Sequence, residues 1–122
     1  MSAFTDMKST HQPDAIWQAL ADPVRRGILE FLTGQSRPTG EICERFQKSA
    51  RLSRTAVLRQ LDLLIQADLV QVKPEGRQRI NSLNPQPLEE FCVPWLLARK
   101  HVWTDRLARL KQHVESKPEK QK

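Results

Sequence analysis

A mainly α-helical domain carrying one small β-hairpin is the fold class that the sequence predicts, on three observations. Apolar residues recur at helical spacing through most of residues 13–67 and again from 95 to 115. Between these blocks, Leu69–Val72 and Gln78–Leu83 alternate with the period of two that a strand needs, on either side of Pro74-Glu75-Gly76. Cations gather over the same stretch: from Arg45 to Arg79 there are eight Lys and Arg against three Asp and Glu. The order helix, turn, helix, strand, turn, strand over residues 39–83 is that of a winged helix-turn-helix, with about five helices in the chain and a two-stranded wing.

Residues 1–12 lack periodicity and are expected to be flexible. Pro13-Asp14 opens the first helix, whose apolar stripe is Ile16, Trp17, Leu20 and Ala21. Asp22-Pro23 starts a second, because Asp accepts from orphan N–H groups and Pro has no donor to waste at the first helical position. It runs to about Thr33 with Val24, Ile28, Phe31 and Leu32 inward, and Gly34 supplies the positive φ that a helix end often needs. Residues 35–38 are expected as loop. Thr39 or Gly40 caps a short third helix, Glu41 to Phe46, with Ile42 and Phe46 buried. The connection that follows, 47–52, is longer than the usual three or four residues. Ser53 caps a fourth helix that reaches about Ala67 and keeps Val57, Leu61 and Leu64 on its core side. In the second strand Ile80 and Ser82 are expected on the inner face. Leu88–Phe91 can form one helical turn. Pro94 within a continuous helix would cost about 3 kcal/mol, so the last helix is expected to begin at or just before it, with a kink as the alternative. Within it Leu96, Trp103, Leu107, Leu110 and Val114 form a heptad-like seam. Residues 13–115 are expected to be one domain and 116–122 a disordered basic tail.

Composition narrows the function classes. A chain of 122 residues has room for one domain, and 39% apolar residues support a modest core. No run approaches the ~18 apolar residues of a membrane-spanning helix, and the N-terminus carries no basic-then-apolar secretory pattern. A cytoplasmic protein with no membrane partner is expected. Cys43 and Cys92 stand outside any C-x-x-C spacing; free thiols are expected, with a working redox pair as the alternative. No phosphate-binding loop, dinucleotide fingerprint or H-E-x-x-H motif is present, so neither an enzyme nor a cofactor is expected. The net charge of +6 points to an anionic partner.

The position of the cations makes duplex DNA the expected partner. A helix entering the major groove keeps one face on the core and shows the other to base edges. After Ser53, the outward residues of the fourth helix are Arg54, Thr55, Leu58 and Arg59, with Gln60 at the flank. Arg can pair with a guanine edge, Thr can bond or touch a thymine methyl, and Leu58 can make apolar contact. Arg51 beside this helix, and Lys73, Arg77, Gln78 and Arg79 around Gly76, suit phosphates or a narrow minor groove. Alone, these cations also fit a solvated face or an acidic protein partner.

ALADPVRRGILEFL, then GEICERF, LSRTAVLRQLDLLIQADLV, EGRQRINSLNP and a last helix with W-x7-W-x3-L-x2-L resemble the ArsR-type winged-helix transcriptional repressors over residues 14–115. The resemblance implies a homodimer that binds a palindromic operator and represses transcription, its first and last helices packed across the two-fold. Ile16, Trp17, Leu20, Leu96, Trp103, Leu107 and Leu110 would then form the dimer face, with packing inside one chain as the alternative. The chain departs from the family in three places. Metal-sensing members carry C-x-C-D-L before the third helix; here the stretch is Pro38-Thr39-Gly40-Glu41-Ile42. His101, Asp105 and His113 do not reproduce the paired ligands of the last helix, so no metal effector is expected. Leu58 and Gln60 replace the Ser and His of the family's S-x-x-A-V-S-x-H-L, and the long 47–52 connection is expected to reset the recognition helix. The alternatives are a thiol- or metal-responsive repressor of this fold and a winged helix that docks proteins.

Overall fold

The computed structural model describes residues 13–116; the expectations for 1–12 and 117–122 fall outside the described residues. The chain divides into two units between Leu88 and Glu89. The first holds α1 (Pro13–Leu20), α2 (Pro23–Leu32), β1 (Arg37–Pro38), α3 (Thr39–Ser49), α4 (Arg54–Gln66), β2 (Val70–Glu75) and β3 (Gln78–Leu83). A π-helical turn, Leu88–Cys92, leads into α5 (Val93–Ser116), which makes up the second. Among the described residues this is a mainly helical winged helix-turn-helix with five α-helices, as the sequence predicts.

Local chemistry explains the corner between α1 and α2. The Asp22 carboxylate accepts from the N–H groups of Val24 (2.9 Å) and Arg25 (3.1 Å), and Pro23 follows it at the first helical position. Arg25 and Arg26 reach back to the end of α1: Arg25 Nε donates to Ala19 O and Nη2 to Gln18 O, both at 2.9 Å, while Arg26 Nη1 donates to Leu20 O at 2.8 Å. These are carbonyls that a helix end leaves without intrahelical partners, and a cation there also suits the helix dipole. Gly34 ends α2 region at φ 82°, as expected.

The core of the first unit joins Ile16 of α1, Ile28 and Leu32 of α2, Ile42 of α3, Val57 and Leu64 of α4, and Leu69 and Val70 at the root of β2, all 2% exposed or less. Two inner faces differ from expectation. On α1 the buried pair is Ile16 and Ala19, whereas Trp17 and Ala21 are exposed. On α2 Leu29 is buried, and Val24 and Phe31 are half-buried. Gly27 permits a close approach: a Cβ added there would lie 3.0 Å from Cε1 of Phe46 on α3. Phe46 has little freedom to yield, because it is buried and packs edge-on against Phe31 at 6.1 Å. Arg37 and Arg45 in turn lie over the Phe31 ring at 4.0 and 4.9 Å.

The sheet is three-stranded in the order β1-β3-β2, not the bare hairpin expected. Residues 35–38 carry no strand signal, and β1 is a two-residue strand that exists only through pairing of Arg37 with Asn81 and Pro38 with Ile80. The hairpin loop is Gly76-Arg77, with Glu75 paired to Gln78. Pro74 therefore lies inside β2, opposite Arg79, and not in the turn. An edge strand tolerates it, since a proline nitrogen can face away from the ladder. Gly76 takes φ 65° at the first loop position, as a two-residue hairpin of the glycine-first type requires.

α5 starts at Val93 directly after the π-helical turn Leu88–Cys92, so Pro94 follows helical residues and not a loop. A proline there donates no N–H to the preceding turn, and the wider π turn lies where that bond would fall. No helix among the described residues is long and apolar enough to cross a membrane.

Because Gly27 faces the Phe46 ring directly, Gly27→Val should lower stability by about 1–3 kcal/mol, read as a reduced urea midpoint with an unchanged slope.

Candidate nucleic-acid interface

The helix-turn-helix is tighter than its sequence suggests. α3 extends through Gln47, Lys48 and Ser49, and the Ala50 N–H still bonds Phe46 O at 3.0 Å. Four residues, 50–53, make the turn, so the long 47–52 connection is not present. The added helical residues are all exposed, which is why apolar periodicity ends at Phe46 while the helix does not. Arg51 makes the reversal in the left-handed region, at φ 56°. Neither Thr39 nor Gly40 caps α3. Pro38 occupies the cap position with no side-chain bond, and Thr39 Oγ1 is engaged by Asn81 instead.

α4 begins as expected. Ser53 Oγ accepts from Ala56 N at 3.1 Å, and Val57, Leu61 and Leu64 face the core. Arg54, Thr55, Leu58 and Arg59 are exposed on the other side. Gln60 lies at the flank, half-buried, and its Oε1 accepts from Arg25 Nη1 at 2.6 Å. Asp68, in the left-handed region at φ 62°, turns the chain from α4 into the sheet.

Two asparagines bolt the wing to the two helices. Asn81 is fully buried, and its Nδ2 donates to Thr39 Oγ1 (2.9 Å) at the start of α3 and to Arg37 O (3.2 Å) of β1. Among the described residues its Oδ1 has no partner, so Nδ2 alone sets the amide's orientation. Asn84 Nδ2 donates to Asp68 O, and Asn84 N to Leu69 O, both at 2.8 Å, beyond the end of α4. The inner position of β3 is thus Asn81, with Ile80 and Ser82 only half-buried. Alternation shows which residues share a strand face but not which face is inside.

Lys73, Arg77, Gln78 and Arg79 are all exposed on the wing, and Arg51 is exposed in the turn. A surface groove of about 370 Å³ brings Arg77, Gln78 and Arg79 together with Arg54 and with Thr39 and Gly40 at the start of α3. Sequence spacing gave no sign that Arg54 lies beside the wing. It also passed over Arg25, whose only signal was the Arg pair after Asp-Pro.

On α5 Leu96, Trp103, Leu107 and Leu110 are 53–63% exposed. On α1 Trp17 is 37% exposed and Leu20 half-buried, but Ile16 is wholly buried in the first unit's core and supports that face from behind. Among the described residues no three His, Cys, Asp or Glu side chains gather as a metal site needs. Cys43 is fully buried, and burial pushes the Cys92 thiol above its ordinary pKa, away from the reactive thiolate.

A family described as a helix-turn-helix domain matches residues 20–73. The chain is 38% identical over 110 residues to the HTH-type transcriptional regulator Rv2034 of Mycobacterium tuberculosis, covering 90% of this chain and 95% of that protein. It is 30% identical over 82 residues to the transcriptional repressor SdpR of Bacillus subtilis, covering 67% and 86% of the two. Among solved structures, the ArsR-like transcriptional regulator from Rhodococcus sp. RHA1 superposes with a TM-score of 0.60 at 25% identity, over 86% of this chain and 94% of that one. The chain belongs to the ArsR-type winged helix-turn-helix regulators. It is accordingly a transcriptional regulator with a DNA-binding helix-turn-helix, and not an enzyme. Within this ArsR-type framework, the wing's attachment through Asn81 and Asn84 is what relates its cations to Arg54.

Asn81→Leu should cost about 1–3 kcal/mol, because it leaves the Thr39 hydroxyl and Arg37 carbonyl without their buried donor. Thermal unfolding of the variant measures that loss.

Proposed function

We propose that this regulator is a homodimeric repressor that reads a palindromic operator through Arg54, Thr55, Leu58 and Arg59 of α4, with Ser53 fixing the helix start, and without a metal effector. The observation that carries the proposal is the coincidence of the exposed Arg54 at the start of α4 with the wing cations Arg77 and Arg79 across one groove. Such a surface places base-reading groups beside phosphate-binding ones, as a major-groove helix requires. Arg51, Lys73, Arg77, Gln78 and Arg79 are assigned to the flanking backbone. Gln60 is assigned to Arg25 and not to DNA.

The dimer proposal rests on α5. Its seam exposes four large apolar side chains in a row, extended by Val114 at 62%, and an unshielded stripe of that kind on a surface helix marks an interaction face. Trp17 and Leu20 of α1 are assigned a smaller share. Two-fold pairing would present two recognition helices about one DNA turn apart, ~34 Å. The burial of Cys43 and Cys92 leaves a thiol-responsive mechanism no accessible nucleophile.

Arg59→Ala should reduce discrimination between a duplex selected from a random pool and an unselected one by about 1–3 kcal/mol. Arg77→Ala should weaken both alike and lower the salt slope by about one. Fluorescence anisotropy at several salt concentrations separates the two outcomes, and unchanged binding in both variants would overturn the assignment of surfaces. Leu107→Glu should yield a monomer in sedimentation equilibrium, with operator affinity falling about tenfold or more because two linked half-sites become one. A dimer that persists in this variant places the interface elsewhere.

A further inference from the structure

We propose that Arg25 is a positioning residue for operator recognition, holding the rotation of α4 against α1 through Gln60. This inference rests on the proposed reading of DNA by α4. Arg25 is on α2, and its side chain bonds to the end of α1 and to Gln60 of α4. Its guanidinium makes three bonds in one plane: Nε to Ala19 O and Nη2 to Gln18 O at the end of α1, both at 2.9 Å, and Nη1 to Gln60 Oε1 on α4 at 2.6 Å. The first two fix the fork, because a planar guanidinium held at two points has no remaining rotation. The third transfers that fixed position to α4.

Gln60 is well placed to receive it. It follows Arg59 and lies one turn beyond Ala56, on the edge where the buried face meets the outward one. A pull on this edge rotates the arginines about the helix axis. Beside the bond, α1 and α4 do not close fully: a crevice of about 330 Å³ is lined by Ala15, Gln18 and Ala19 on one side, Leu63, Gln66 and Ala67 on the other, and Arg25. A gap between the two helices leaves fewer interlocking contacts there, so a hydrogen-bonded tie has more to decide than it would in a tightly packed seam. Leu63 is 38% exposed, which also indicates that this side of α4 is not locked by apolar packing.

The tie predicts a coupling that direct DNA contact by Gln60 does not. Gln60→Ala should lower the ratio of operator to random-duplex affinity about five- to tenfold, of the order of a typical intramolecular hydrogen bond's net contribution. In an Arg25→Gln background the same change should have little further effect, since both act through one bond. Gln60→Glu keeps an acceptor for Arg25 and should remain within about threefold of wild type, whereas a carboxylate aimed at phosphate or a guanine edge would not. The measurement is anisotropy with a selected duplex and an unselected one of equal length, alongside thermal unfolding of each variant. Additive losses across the Arg25/Gln60 cycle, or a loss in Gln60→Glu as large as in Gln60→Ala, would overturn the proposal while leaving α4 as the DNA reader. A wild-type protein that shows no discrimination between the duplexes would overturn the DNA reading itself and this proposal with it. Because Gln60→Ala and Gln60→Glu leave the Arg25 bonds to α1 in place, a folding failure in Arg25→Gln does not decide the outcome.

Discussion

The corner between α1 and α2 is the constraint on which the helical part of the structure depends. Six residues, 21–26, close two helix ends against each other. Asp22 satisfies donors at the start of α2, and Arg25 and Arg26 satisfy acceptors at the end of α1. Each helix supplies or receives what the other's terminus lacks, so neither α1, only eight residues long, nor the first turn of α2 has to stand on propensity alone. The same Arg25 then reaches Gln60, which carries the corner's geometry to α4. Gly27, one residue beyond the pair, lets α3 come close enough to bring Phe46 against this frame.

The wing is a second rigid piece with polar attachments. Asn81 ties it to the start of α3 and to β1, and Asn84 ties it to the end of α4. A buried amide is costly unless bonded, and each bond it makes here crosses from one element to another. That arrangement favours one wing position over sliding of the strands. It is also why Arg77 and Arg79 share a groove with Arg54 despite more than twenty intervening residues. On α5, by contrast, the large apolar residues are exposed. The first unit is thus tied by polar bolts, while the second carries an exposed apolar stripe.

Much of this was legible in the sequence because it depends on short-range chemistry. Asp22-Pro23, Ser53 and Gly76 each carry a local reason for a helix start or a turn, and the structure uses all three. The core face of α4 followed from spacing alone. Periodicity failed where the determining partner is remote. β1 has two residues and no pattern, and its strand character comes from β3. The solvated last turn of α3 gave no apolar beat, so the helix looked three residues shorter at that end than it is.

The sequence by itself determined the order of the helices and the hairpin, the starts of α2 and α4, and the exposed cations and apolar seam, because each is written in residues a few positions apart. Only the tertiary structure decided that Asn81 faces inward, that Ile16 belongs to the core, that Arg54 stands beside the wing and that Gln60 answers to Arg25. Those four depend on which groups meet across long stretches of chain. A pattern of spacing contains the faces, but not what each face will find opposite it.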